Sequence, residues 1–404
     1  MSKVGGALPS WYWPDDIPRR VAVPEQPIDR GLRYRVPSVA GKPAIVAREG
    51  SATYGELLAA AQETARGIHS IDPEGTVAAV VETDLAQSLI LLLAALAAGK
   101  QVFVGDPLAP PPVLARHLEE SRATIVLTAA DPGAAGTLPG ARIVSRTELP
   151  AGTEQPPGSG HSSLPAVLIA SGDDLVVHSH FALSAMAVSL TTFVPQLRAI
   201  PYTALSPLSS WEGLCGSLAG LLHGSFLVPA SLPALDQAPV EAAGGYTLLR
   251  REDIDALLSA GRAPALLSKI RYLFVSTSYF HRRWRQRVER LLGRPILPIW
   301  GTPEVGLAVA AHPTWFPLEA HGIPTVNVFL QPVDPVRGVV SEVPWEMLEG
   351  AEIGVETPSG MIGFSRNGRS EGMRLGNVLR THALANVDHV GVVTLLPSRG
   401  GGKQ

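Results

Sequence analysis

Between residues 43 and 128 the hydrophobic pattern switches repeatedly between two periods, and that switching restricts the chain to a layered α/β fold. Pro43-Ala44-Ile45-Val46-Ala47 reads as a short strand, closed by a turn at Glu49-Gly50. Thr53 and Glu56 have capping-box spacing, and Leu57, Leu58, Ala61 and Ile68 follow on one face of the helix they open. Thr76 to Val81 reads as a buried strand, and Leu85 to Ala98 as a buried helix with Gly99 as its stop. Gln101 to Val104 is a strand, Pro112 to Ser121 a helix, and Thr124 to Thr128 a strand. Such a series implies a mainly parallel sheet covered by helices.

A Gly/Ala/Pro/Ser-rich connection, Ala129 to Leu164, surrounds one short strand and leads to a second α/β series. Its strands are Ala166 to Ile169, Ser225 to Val228, Arg271 to Val275 and Ile296 to Trp300; its helices are Phe181 to Thr191, Trp211 to Leu222 and Trp284 to Leu292. From about Gly322 the helical pattern stops, and short strands such as Thr325 to Phe329 and Gly391 to Leu396 alternate with Gly and Pro turns. The expected architecture is α/β, with two βα-layered, mainly parallel sheets plus a small β subdomain. The expected divisions are 1–164 with an N-terminal arm, 165–321, 322–398 and a disordered tail at 399–404.

Composition narrows the function classes. Charged residues are 17% of the 404 and hydrophobic ones 46%, against a usual charged share of about 25%, which excludes long disordered segments. A net charge of -3 gives no general basic field for nucleic acid. Cys215 is the only cysteine, so intramolecular disulfides and cysteine zinc clusters are excluded, and it reads as a buried small hydrophobe. Met1 to Arg20 lacks the apolar segment of a signal peptide. Leu85 to Ala98 is shorter than the ~20 residues a membrane span requires. A soluble cytoplasmic protein is the expectation. Lysine is scarce: Lys3, Lys42, Lys100, Lys269 and Lys403 are all there are.

Seven segments, in order from about Trp11 to Leu396, resemble the adenylate-forming superfamily of acyl-CoA synthetases, nonribosomal-peptide adenylation domains and luciferases. Trp11-Tyr12-Trp13-Pro14-Asp15-Asp16-Ile17-Pro18 resembles the N-terminal segment of acyl-CoA synthetases, and Thr53-Tyr54-Gly55-Glu56-Leu57 their first-helix motif. Leu92 to Gly105 with Asp106-Pro107 resembles the helix, turn and strand leading to a "DP" turn. Val176-Val177-His178-Ser179-His180 resembles the segment after the phosphate loop, and Trp300-Gly301-Thr302-Pro303-Glu304 the aromatic-Gly-x-Thr-Glu motif. Leu379-Arg380-Thr381 and Asp388-His389-Val390-Gly391 stand at the "RTGD" and "DG" positions.

That resemblance implies a reaction in which ATP activates a carboxylate to an acyl-adenylate, whose acyl group passes to a thiol. Triphosphate charge must then be offset by backbone N–H groups of a Gly-rich loop and by a lysine. Against the family loop, Ala170-Ser171-Gly172-Asp173-Asp174-Leu175 is several residues short and has no lysine, and Asp173 and Asp174 add negative charge. No lysine lies between Lys100 and Lys269. Ala383 stands where a ribose-binding Asp is implied, and Ser276-Thr277-Ser278 where a Gly-Gly-Ala turn would face the base. Pro303 replaces a threonine, removing a hydroxyl and a backbone donor. The sequence stops at Gln404, so the lysine-bearing C-terminal subdomain of the family is expected to be absent, with Lys403 in a glycine tail.

Candidate residues follow from the same matches. Ser171, Gly172, Thr302 and Glu304 mark the nucleotide–phosphate site, with Glu304 matching a magnesium-holding residue or remaining a loop carboxylate. Trp211, Trp300 and Gly301 line an acyl pocket or pack as core. His178 and His180 are candidates for a base or a thioester-polarising group, or serve structure alone. The basic run His281 to Arg287 is a solvated helix face, or a docking patch for an acidic carrier protein or a CoA phosphate. The expected function is an acyl-CoA-synthetase-like protein without autonomous adenylation, needing no cofactor. It would bind acyl groups, CoA or a carrier-protein pantetheine, move acyl groups between thioesters, or partner a carrier protein or synthetase in a lipid or natural-product pathway. Two alternatives stay open: an active acid–thiol ligase with atypical motifs, using ATP and Mg and completed in trans, and a noncatalytic scaffold or regulator.

Overall fold

The computed structural model describes residues 13, 16–129, 142–261, 263–279, 281–314, 320–334, 337, 339–340, 348–365, 373–388 and 391–397. The first elements are α1 (Ile28–Val39), a hairpin of β1 (Pro43–Ala47) and β2 (Gly50–Thr53), and α2 (Tyr54–Ile71). The capping box is in place: Thr53 Oγ1 accepts from the Glu56 N–H at 3.2 Å, and the Glu56 carboxylate accepts from the Thr53 N–H at 2.8 Å. Then come β3 (Val77–Val81), α3 (Leu85–Ala97), β4 (Gln101–Gly105), α4 (Pro111–Ser121), β5 (Ile125–Thr128) and β6 (Arg142–Ser145).

The second stretch comprises β7 (Pro165–Ser171), β8 (Asp174–Ser179), α5 (His180–Phe193), β9 (Tyr202–Ala204), α6 (Trp211–His223), β10 (Leu227–Pro229), β11 (Tyr246–Leu249) and α7 (Arg251–Ala260). It continues through β12 (Tyr272–Ser276), α8 (Arg282–Leu292), β13 (Leu297–Thr302), β14 (Gly306–Ala310) and β15 (Ile323–Pro324). The last stretch is β16 (Phe329–Asp334), β17 (Val339–Val340), β18 (Leu348–Glu356), β19 (Gly363–Phe364), β20 (Arg374–Leu375), β21 (Val378–Val387) and β22 (Val393–Leu395).

Three sheets result. A seven-stranded sheet runs β19-β8-β7-β4-β3-β5-β6, parallel from β7 to β6 with antiparallel β8 and β19 on one edge. A nine-stranded sheet runs β15-β14-β13-β12-β11-β9-β10-β1-β2, parallel from β13 to β1. The third is antiparallel, ordered β17-β16-β18-β21-β20, with β22 also on β21.

The strands explain the cores. In β3, Ala78 and Val80 point into the largest core, while Val77, Ala79 and Val81 point into a second, as a period-2 strand buried on both faces requires. The largest core joins the inner faces of both parallel sheets through α2, α3, α5 and α6. Helix α3 is apolar on nearly every face because it lies in that interior. On the outer faces, α4 covers the seven-stranded sheet, and α7 and α8 cover the nine-stranded one.

Three expectations change. The division at 164 is not a boundary between sheets: β7 and β8 complete the sheet begun by β3, and β1 and β2 join the strands after residue 200. Thr325 to Phe329 turns rather than extends, because Asn327 adopts φ 65° and its side-chain amide is held by the Val21 backbone at 2.9 and 3.0 Å. Within the basic run, Arg285 is buried, donating to Glu289 at 3.0 Å and to the Ile296 carbonyl at 3.2 Å. Among the described residues no helix is long and apolar enough to cross a membrane.

Tyr54 pins α2 to the end of α6, its hydroxyl donating to the carbonyls of Leu221 at 3.0 Å and Ser225 at 2.5 Å while the ring is buried. Tyr54→Phe should lower unfolding free energy by about 1–2 kcal/mol, since buried carbonyls lose a donor. Urea denaturation of the two proteins measures the difference.

Candidate functional site

The tip between β7 and β8 holds two residues. Ser171 pairs with Asp174 across the antiparallel ladder, so Gly172 and Asp173 alone make the turn. Gly172 adopts φ 59°, which suits a glycine at the first central position of a two-residue hairpin. Helix α4 holds this tip from outside: Arg116 pairs with Asp173 at 2.6 Å, and His117 Nε2 donates to the Gly172 carbonyl at 3.1 Å. Arg116 is a cation that the sequence reading missed, because α4 and the hairpin lie more than fifty positions apart in the chain. Ser171 Oγ donates to Glu304 Oε1 at 2.5 Å, which fastens the hairpin to the turn after β13.

That turn carries Thr302, Pro303 and Glu304. Thr302 ends β13 opposite Gly306, and its carbonyl accepts from the Val305 N–H at 3.2 Å. The Glu304 carbonyl accepts from the Met361 N–H at 2.7 Å, and beyond it β19 runs antiparallel along β8. Among the described residues no group of three or more His, Cys, Asp or Glu is placed to hold a metal ion.

The two candidate histidines make separate contacts. His178 is buried in β8, and its Nε2 donates to the Pro303 carbonyl at 2.7 Å. Burial, the largest influence, holds it below the usual imidazole range in spite of Glu304. His180 opens α5 and faces the other way, its Nδ1 accepting from the Ile28 N–H at 3.3 Å. Burial lowers it to about 4, with Asp29 opposing.

Trp211 begins α6, capped by Ser210, whose hydroxyl accepts from the Gly213 N–H at 3.1 Å. The Trp211 ring rests on Gly301. A Cβ there would stand 3.1 Å from the indole and 2.1 Å from the Gly306 carbonyl oxygen, so this position requires glycine. Trp300 is buried opposite Val309 and packs in the main core. Beside these residues lies a cavity of about 360 Å³ between the hairpin, α4 and the start of α6, with Phe103, Leu114, Trp211 and Pro303 among its apolar walls. A larger cavity of about 610 Å³ adjoins it at the carboxyl ends of β3, β4, β9 and β10, sharing Val104, Asp106, Ser209 and Arg250 with it. In open α/β sheets the carboxyl ends of strands are where ligands bind.

Glu212 also faces the smaller cavity, and sequence reading passed over it. Its only signal was an acidic residue in the first turn of an otherwise apolar helix. Burial raises its carboxyl to about 7, with a Ser276 hydrogen bond and Arg250 opposing and Glu252 reinforcing.

The remaining matched positions are occupied by ladder and turn contacts. Ala383 pairs with Ile353 in β21 beside a bulge at Thr381 and His382, where His382 has φ 55°. Arg380 grips Glu352 at 2.6 and 2.9 Å. Thr277 follows β12, with its N–H on the Ile299 carbonyl at 3.1 Å and its hydroxyl on the Tyr279 carbonyl at 2.7 Å. Asp388 is a turn residue, Oδ1 accepting from the Val392 N–H at 2.9 Å.

No protein-family model and no curated protein matches the chain. Solved structures do. O-succinylbenzoate CoA synthetase (MenE) from Bacillus subtilis matches with a TM-score of 0.78 at 18% identity, over 93% of this chain and 79% of that one. A benzoate CoA ligase from Burkholderia xenovorans LB400 matches with a TM-score of 0.75 at 19% identity, over 92% and 79%. The nonribosomal peptide synthetase FmoA3 matches with a TM-score of 0.77 at 19% identity, over 96% of this chain and 44% of that one. At such identities the likeness is one of fold: the chain has the layered fold of adenylate-forming enzymes.

His180 makes stability depend on pH. Its folded value of about 4 lies below the unfolded value near 6.5, so the unfolded chain binds the extra proton in between. Stability present above pH ~6.5 should therefore fall, by up to about 3 kcal/mol from this group, as pH drops toward 4. His180→Asn, which keeps an acceptor for Ile28, should flatten that slope between pH 6.5 and 4, leaving the shares of His178, His223, His312 and His321, which burial also lowers. Denaturation midpoints across the window test it.

Proposed function

We propose that this protein binds acyl groups or their thioesters in the cavity beside Trp211 and handles them without autonomous ATP-dependent adenylation. Its place is an ATP-independent acyl-handling or partner role in a lipid or natural-product pathway, with no cofactor. The fold supports the acyl half of the reading. Two proteins that share it are named as ligases of aryl acids to coenzyme A.

The two-residue hairpin carries the other half. A triphosphate requires several backbone N–H groups converging from a flexible, glycine-lined loop, together with cationic charge. Here the N–H groups available between paired strands are those of Gly172 and Asp173. Arg116, the cation at the tip, is already engaged by Asp173. Glu304 is engaged by Ser171, and Ala383 offers no side-chain acceptor to a ribose. These residues do not fit ATP, and no step through ATP or magnesium is derived for this chain. MenE, by contrast, has been seen with ATP and a magnesium ion.

An acid–thiol ligase with atypical motifs, completed in trans, is the second reading. Glu304 favours it by keeping its carboxylate beside the hairpin.

ATP–pyrophosphate exchange over a panel of aryl and alkyl acids should stay at background, and calorimetry should show no ATP binding at micromolar concentrations with or without magnesium. S-acyl pantetheines should raise the melting temperature, because a ligand at 100 times its Kd stabilises by about 2.7 kcal/mol. Robust exchange by the purified chain, or micromolar nucleotide binding, overturns the proposal.

A further inference from the structure

The smaller cavity carries a charge pattern that a free acid would not tolerate. Asp106, Glu212 and Glu252 line it, against Arg250 and His117. Glu82, Asp84 and Asp253 line the adjoining cavity. Most of these carboxylates are employed. Glu82 accepts from the N–H groups of Asp84 at 3.0 Å and Ala129 at 2.7 Å, Asp84 caps α3, and Asp106 accepts from the Leu108 N–H at 2.9 Å. Asp253 holds Arg250 through two bonds of 3.1 and 2.9 Å, which commits that guanidinium. His117 is turned to the Gly172 carbonyl.

Glu212 differs from the others. It is 6% exposed, faces the cavity, and among the described residues has no ion-pair partner. Ser276 and Arg250 offset its burial only in part, since its carboxyl is still raised to about 7, and a ligand that brings a positive charge against it offsets more of that cost. Trp211, Phe103 and Leu114 are apolar walls of the same cavity, alongside the polar ones. A part-apolar cavity that holds a buried acid is complementary to a hydrophobic body that ends in a cation.

We propose that this cavity is an amine-binding site, in which the ammonium group of a primary-amine ligand seats on the Glu212 carboxylate and its apolar body lies against Trp211, Phe103 and Leu114. The assignment goes beyond the acyl reading and names a ligand class that the excess of carboxylates favours. Free carboxylic acids and phosphates are disfavoured by the same charges, whereas an uncharged thioester is not.

The groups that act on Glu212 or line the cavity with it are Arg250 and Glu252 from the start of α7, Asp106 and His117 from the α4 side, Ser276 at the end of β12, and Cys215 and Tyr202. Burial raises the Glu212 carboxyl to about 7, so near neutral pH an ammonium ligand must displace its proton. Amine affinity should therefore be full at pH 8 and fall roughly tenfold by pH 6. Near pH 7, binding should release a fraction of a proton to the buffer.

Calorimetry on the intact chain with 2-phenylethylamine, 2-phenylethanol, phenylacetate and an S-acyl pantetheine tests the assignment. Expected are binding of the amine, weaker binding of the alcohol and weakest binding of phenylacetate. Two buffers of different ionisation heat should reveal the released proton. Glu212→Gln should weaken the amine about thirtyfold or more and abolish both the pH dependence and the proton release, leaving the alcohol within about twofold. Glu212→Asp should retain a preference for the amine. The proton-release measurement on the unaltered protein needs no variant, so misfolding of Glu212→Gln does not block the test. Phenylacetate binding as well as the amine, unchanged amine affinity in Glu212→Gln, or a pH dependence that survives in that variant each overturns the site. If the S-acyl pantetheine binds and the amine does not, the amine assignment falls and the acyl reading stands. If the amine alone binds, the acyl reading falls and the amine site stands.

Discussion

A two-residue turn sets how close β7 and β8 lie, and the rest of the site follows from that closeness. With Ser171 paired to Asp174, the hairpin is tied by hydrogen bonds from its base to its tip. Its tip can then rest on α4 through Arg116 and His117, and its last β7 residue can reach Glu304. His178, four ladder pairs further down, reaches the Pro303 carbonyl by the same alignment. The hairpin, the turn after β13 and the strand β19 therefore form one hydrogen-bonded unit in which polar side chains are spent on each other.

The cavity next to this unit has the opposite character. Its walls come from elements distant in sequence: β4, α4, the start of α6 and the turn after β13. Gly301 lets the Trp211 indole approach β13 closely, and Trp211 lines the cavity beside it. Glu212, next in the chain, keeps a buried carboxyl, which raises its proton affinity into the neutral range. Apolar walls and a titratable acid together give the cavity a chemical preference that its volume alone would not.

Much of the architecture was readable in the chain. The capping box at Thr53 and Glu56, the apolar helix from Leu85 and the strands at Val77 and Ile125 are local signals, each decided by neighbours within a few positions. The shortness of the loop at Ser171 to Asp174 was also legible, because missing residues are visible without coordinates. Strands β9 and β11 were not, since three or four residues carry too little periodicity and are strands only because longer neighbours pair with them. Thr325 to Phe329 misled because its β-branched and apolar residues suit a strand, whereas the tie between Asn327 and the distant Val21 forces a turn.

By itself the sequence determined the alternation of helices and strands, the layered class and the short, lysine-free connection at Ser171 to Asp174, all of which depend on residues adjacent in the chain. Tertiary structure alone decided which strands share a sheet across position 164, that Arg116 neutralises Asp173, that His178 and His180 serve separate contacts, and that Glu212 lies buried beside an apolar chamber. The physical reason is range: periodicity and capping act over a few residues, whereas burial, charge pairing and the shift of a proton affinity depend on what long-range packing brings alongside.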